Sequence, residues 1–177
     1  MQSLRPQPQS SRMSPLFALK LTFPAQDFQT NWTQCSLLAN YMAEYTAYQF
    51  TQQERAENII STVANELLET AVHLATPHSD LTLHLEQHAA GLQLEVSLLP
   101  QPDLATAYTA FLQDLADDVG EQAYMQWLTA VTIPPHYFNQ LGLMMIAHDF
   151  SVRITSVSLA SERICTRLFI PNEELQA

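Results

Sequence analysis

Residues 51–75, TQQERAENIISTVANELLETAVHLA, constrain the fold more than any other stretch of the chain. Apolar side chains recur at Ile60, Val63, Ala64, Leu67, Ala71 and Leu74. That spacing holds one face of a helix with a period of about 3.6 residues against a core. Thr51 followed by Glu54 is a capping-box signature, in which hydroxyl and carboxylate satisfy free N–H groups at the helix entrance. A second stripe runs beside the apolar one. Glu66, Thr70 and His73 stand at i, i+4 and i+7 and project to one side, and this stripe is where function is expected.

The flanking segments supply the other layer. Residues 16–23, LFALKLTF, read as a short strand closed by Pro24. Asp27 or Thr30 can cap a helix running to about residue 45, with Trp32, Cys35, Leu38, Ala39 and Met42 as its apolar stripe. After the break at Thr76-Pro77-His78-Ser79-Asp80 the period changes to two. Leu81, Leu83 and Leu85, then Leu92, Leu94, Val96 and Leu98, alternate with polar residues around His88-Ala-Ala-Gly91. The pattern predicts an antiparallel hairpin with one buried face. Beyond Pro100 and Pro102 come helical stripes at Leu104, Tyr108, Phe111, Leu112 and Leu115, and at Tyr124, Trp127, Leu128 and Val131. Pro134-Pro135 opens a further helix over 136–149, carrying Phe138, Leu141 and Met145, and strands at 152–159 and 164–170 close the chain. The order β-α-α-β-β-α-α-α-β-β predicts an α+β two-layer sandwich, a mixed and mostly antiparallel sheet with helices on one face. Residues 1–14, rich in Gln, Ser and Pro, are expected to be a disordered leader, 15–172 one domain, and 173–177 a tail.

Charge narrows the function. A formal net charge of −11 argues against binding a nucleic-acid backbone. Between Arg55 and Arg153 there is no Lys or Arg, while twelve acidic residues fall in that interval. A phosphate held there would depend on backbone N–H groups, a metal, or a residue from elsewhere. Only 14% of residues are charged, a thin covering that leaves surface for a partner. No apolar run approaches the ~20 residues a bilayer requires, so a cytoplasmic protein without membrane contact is expected. Cys35 and Cys165 read as small buried side chains rather than a redox or metal pair.

Other residues have bland readings beside sharper ones. His84 and His88 with Glu86 between them invite a metal site, but strand residues four apart lie ~13 Å apart, which favours solvent-facing side chains. Glu66 and Glu69 form either an acid/base pair or a solvated helix face. His73 either reaches a phosphate or partner carboxylate, or favours the negative end of the helix dipole. Tyr108, Phe111, Tyr124 and Trp127 at helical spacing read as core rather than as a binding surface.

Asn65 to His73, NELLETAVH, resembles the N-box of the GHKL ATPases, the group of histidine kinases, anti-sigma-factor kinases and gyrase-type ATPases. In that box an acid handles a water or hydroxyl, and an Asn four residues later holds Mg²⁺ against the phosphates of ATP. The element order is similar to that of the anti-sigma-factor kinase branch, and most similar to its SiaB-type regulators, over roughly residues 16–171. Those regulators act as partner-switching kinases on a small STAS-like protein. The resemblance implies a histidine-kinase-like ATPase fold, with Glu66, Thr70, His73, Asp103, Gly142 and Leu143 facing ATP. Glu66 would be the catalytic residue of an active enzyme and Thr70 the Mg²⁺ ligand.

The chain departs from the pattern at each box. Thr70 replaces the metal-binding Asn. Asp103-Leu-Ala-Thr-Ala107 keeps an acid but replaces both loop glycines with Ala, Gln140-Leu-Gly142-Leu143 keeps one glycine of two, and Arg163, Ile164 and Cys165 stand where a Gly-Thr pair is usual. Three glycines in the whole chain cannot build a Gly-rich lid. The expectation is therefore a regulatory signalling protein with a degenerate site and weak or no ATP turnover, acting on a small STAS-like partner, with a homodimer as the other expected association. The alternatives are an active ATP-dependent Ser/Thr protein kinase and an altered cavity that takes another small molecule.

Overall fold

A computed structural model describes residues 15–116, 125, 129, 140–158 and 162–176. The leader at 1–14 and the expected Tyr124, Trp127, Leu128, Val131 and Phe138 stripe positions lie outside the described residues.

Five strands form one sheet in the order β1-β2-β3-β5-β4. They are β1 (Phe17–Pro24), β2 (Asp80–His88), β3 (Gly91–Leu98), β4 (Arg153–Ser158) and β5 (Ile164–Pro171), and every pairing is antiparallel. The alternation read from the sequence becomes two kinds of cross-strand row. Leu19, Leu85, Leu94, Leu168 and Ile154 stand in register across all five strands, facing the helices. The next row, Lys20, His84, Glu95, Arg167 and Thr155, faces the opposite side. One residue of slip would exchange the rows, so the register is fixed by burial.

The helical layer comprises α1 (Ala25–Thr30), α2 (Thr33–Ala47), α3 (Gln53–Leu74), α4 (Pro102–Ala116), α5 (Gln140–Asp149) and the short α6 (Asn172–Gln176). The single helix expected from residue 27 or 30 is two: Asn31, at φ −143° and ψ 86°, breaks it, and its N–H bonds to Phe28 O. Trp32, expected in the apolar stripe, lies in that break and is 45% exposed, whereas Cys35, Ala39 and Met42 are buried. The expected tail instead forms α6, whose Leu175 is buried.

α3 is the hub, in contact with α1, α2, α5, α6 and β3. All six residues of its expected apolar stripe are buried. A fully buried Leu contributes about 1.5–3 kcal/mol relative to exposure, so Leu67 and Leu74 alone outweigh any capping term. The capping box does not form: the helix starts after Gln52 without a side-chain cap bond, and Thr51 is exposed beyond it. The start is held from outside, by Arg55 Nε donating to Glu174 O at 2.8 Å. The other end is closed by side-chain amides. Gln29 Nε2 donates to Val72 O and Ala75 O, both at 3.0 Å, and Gln101 Nε2 donates to His73 O at 2.9 Å. These bonds satisfy carbonyls that a helix end leaves without partners.

Candidate functional site

α3 presents three longitudinal faces, and two of them are polar. The first polar face meets α2. Ser61 Oγ donates to Asn40 Oδ1, and Asn65 Nδ2 donates to Glu69 Oε1 at 3.0 Å. Burial, then the Glu69 charge, pushes the Cys35 thiol up to about 12, so this cysteine is a packing group without thiolate chemistry. Glu69 is half-buried, its carboxylate accepting from Asn65 one turn earlier on the same helix beside the buried Cys35. Nothing in the residue spacing identified this seam, because Ser61, Asn65 and Glu69 are as common on exposed helix faces as at buried seams.

The second polar face is the expected Glu66, Thr70 and His73 stripe. Glu66 and His73 are half-buried. Thr70 lies between them and is fully buried, and its Oγ1 has no hydrogen-bond partner among the described residues. Asp103 is exposed in the first turn of α4. That helix start is joined to the end of α3, since Gln101 N donates to Leu74 O at 2.8 Å and Thr76 Oγ1 donates to Pro100 O at 3.0 Å. Asp103 and His73 therefore belong to one end of the molecule. Gly142 and Leu143 are buried in α5, which packs against α3.

α4 crosses the sheet near β4 and sends Tyr108 into the core. Its hydroxyl bonds Thr166 Oγ1 of β5 at 2.8 Å, with both residues buried, and burial raises the phenol well above its ordinary range. Phe111 packs against the same core. The core reading thus holds for both of these aromatic residues.

Arg163, before β5, points away from α3. Its Nε donates to Ser97 Oγ at 3.1 Å, and Nη2 donates to Asp80 O and Ser97 O at 3.0 and 2.8 Å. A cavity of about 450 Å³ opens between α4 and the β4–β5 turn, bounded by Pro100, Thr106, Thr109, Gln113 and Glu162, the last at φ 60°. Glu66, Thr70 and His73 do not line it.

On the far side of the sheet, Glu86 lies between His84 and His88, whose Nε2 atoms approach its two oxygens at 3.5 and 3.2 Å. The side chains are about a quarter to a third exposed, and no group of metal-ligating geometry occurs among the described residues. Beside them, burial pushes the Glu95 carboxyl up, but hydrogen bonds from Arg167 at 2.9 Å and Cys165 outweigh it and hold the group low.

No helix among the described residues is long and apolar enough to cross a membrane. No protein-family model matches the chain, and no characterised protein sequence matches it. Among solved structures, a chain from the SiaB–SiaC complex of Pseudomonas aeruginosa superposes with a TM-score of 0.57 at 14% identity, covering 90% of this chain and 92% of that one. At that identity the likeness speaks for architecture alone: the chain has a SiaB-like α+β fold.

Proposed function

We propose that this protein is a regulatory signalling protein that acts by binding a small, STAS-like protein partner, on a histidine-kinase-like ATPase fold whose nucleotide site has degenerated. The observation that carries the loss of nucleotide chemistry is Thr70. A Mg²⁺ ligand must present its oxygen to an open coordination position, and this hydroxyl is sealed in the interior. The residues present do not fit Mg-ATP. The stripe holds one carboxylate beside a buried hydroxyl, Arg163 is committed to the other side of the sheet, and Ala105 and Ala107 stand in place of loop glycines. The partner-binding half of the reading is supported by the fold, which is shared with a protein crystallised as a complex with SiaC.

Half-exposed Glu66 favours the second reading, an active Ser/Thr protein kinase with this acid as base. Isothermal titration with Mg-ATP, followed by labelled phosphate transfer to a STAS-like protein from the same genome, separates the two. The regulatory reading expects a stable protein complex, no tight nucleotide binding, and identical inertness of wild type and Glu66→Ala. Mg²⁺-dependent ATP binding, with phosphate on a partner Ser or Thr that Glu66→Ala abolishes, establishes the kinase instead.

A further inference from the structure

The clearest feature that the nucleotide face does not explain is the outer side of α2. An ordinary layer helix turns its large apolar residues inward, and α2 does the reverse. Its inner side is Cys35, Ala39, Met42, Ala43, Thr46 and Ala47, mostly small residues that allow close approach to α3. Its outer side is Leu37, Tyr41, Tyr45 and Tyr48, exposed by 62, 58, 53 and 67%. Steps of four, four and three residues place these on one line along the helix. The Tyr41 and Tyr45 rings lie nearly parallel with centroids 6.4 Å apart, and Tyr45 also meets Phe17 at 5.5 Å. Phe17 begins the edge strand β1, and Leu16 beside it is 73% exposed. The patch therefore runs over about three helical turns and onto the sheet edge. Exposed tyrosines with this arrangement contribute little to folding, but they are the residue type that anchors interfaces.

Charge selects the occupant. From residue 21 to residue 54 the sequence contains no Lys or Arg, and its charged residues are Asp27, Glu44 and Glu54. Glu44 lies exposed among the tyrosines. Tyrosine faces are themselves electron-rich and attract cations. A second copy would bring two Glu44 side chains together between two chains of formal charge −11, with no Lys or Arg from residue 21 to residue 54 of either copy to offset them.

We propose that the α2 tyrosine face is a docking site for a cationic amphipathic helix of a partner protein, with Leu or Ile side chains between the rings and Lys or Arg side chains over them and against Glu44. Such docking presupposes the partner-binding role proposed above, and it places the contact on a surface separate from the Glu66, Thr70 and His73 stripe.

The test is an amide chemical-shift titration of the full chain with a synthetic Leu/Lys amphipathic helix of about eighteen residues. The same helix with Glu for Lys serves as the control. The expected result is shifts confined to residues 16–18 and 37–48 with the Leu/Lys peptide and none with Leu/Glu. Affinity should fall by about tenfold or more in Tyr41→Ser/Tyr45→Ser/Tyr48→Ser, and measurably in Glu44→Lys. The single charge variant keeps the test intact should the triple variant fail to fold. Shifts elsewhere, equal binding of both peptides, or no binding overturns the proposal. So does a wild-type dimer in sedimentation equilibrium that Tyr45→Ser dissociates. A STAS-like partner that binds the triple variant as tightly as wild type sinks this surface while leaving the partner-binding function standing. Failure of every partner, with the peptide still bound at α2, does the opposite.

Discussion

Replacing Thr70 with Val tests the central feature of the candidate site. Thr70 is fully buried and its hydroxyl lacks a partner among the described residues, so folding removes that O–H from water without compensation. Leaving a buried hydroxyl unsatisfied costs about 1–3 kcal/mol. Valine has nearly the same shape, the same branching at Cβ and a similar helix propensity, so the change isolates the hydroxyl. Thr70→Val should therefore raise stability by about 1–2 kcal/mol. For a domain of this size that corresponds to a rise in Tm of about 2–8 °C. The measurement is urea unfolding followed by circular dichroism, where the midpoint should move up with the slope unchanged. A loss of about 1 kcal/mol or more would mean that the hydroxyl is bonded in the native protein, and the inference of a sealed, metal-incompetent position would then fail. Thr70→Asn should destabilise, because a larger side chain with two polar ends enters the same closed space.

Three further changes probe the frame around the site. A Cβ at Gly91 would stand 2.2 Å from Ile170 O, a backbone atom that cannot step aside, so Gly91→Ala should cost about 1–3 kcal/mol in urea unfolding. Tyr108→Phe leaves the buried Thr166 hydroxyl without its 2.8 Å partner and should lower stability by about 1–3 kcal/mol, visible as a lower Tm. The Glu95 carboxyl is lower in the folded than in the unfolded chain, so its contribution is present above the ordinary carboxylate value and is lost as pH falls through the folded one. Urea midpoints between about pH 6 and pH 3 should fall less steeply for Glu95→Gln than for wild type, and parallel curves would contradict the Arg167 and Cys165 bonds that hold it low.

The parts of the fold that the sequence predicted correctly are those where one periodicity dominates. Leu81 to Leu98 alternates in its buried positions apart from the adjacent Gly91 and Leu92, and the hairpin forms where the alternation pauses, with a two-residue Ala89-Ala90 connection. Likewise α3 buries its whole apolar stripe. Misreadings occur where local chemistry competes with tertiary contacts. Thr51 and Glu54 have the residue types of a capping box, but the helix entrance is fixed by Arg55 reaching Glu174, a partner 119 residues away that no local window contains. Gln29 and Gln101 carry no signal of their role in the sequence and close the end of α3 through their side-chain amides. In α2 the expected stripe of Cys35, Ala39 and Met42 is the buried side, with Trp32 the exception, while the exposed tyrosines opposite carry no signal in a reading that looks only for the core face. At the candidate site, spacing correctly placed Glu66, Thr70 and His73 along one helix, but it could not reveal that the middle residue is closed off from solvent.

The seam between α2 and α3 gives the docking face and the candidate site a common frame. An apolar contact between two helices is held in register by close packing, since gaps of about 0.5–1 Å already forfeit a quarter to a half of each dispersion contact. This contact is not purely apolar. Ser61 bonds Asn40 across it, and Asn65 and Glu69 are paired along it beside the buried Cys35 thiol. Displacing α2 by one residue would break the exposed Ser61–Asn40 bond and unseat the close-packed Cys35, Ala39 and Met42 side chains from α3. The outer face of α2 is thus held in fixed relation to Glu66 and Thr70 on α3, and α3 is itself anchored at its start by α6 and at its end by Gln29 and Gln101. A partner seated on the tyrosines therefore meets a rigid surface formed before binding, which spares the ordering cost that a mobile element would impose.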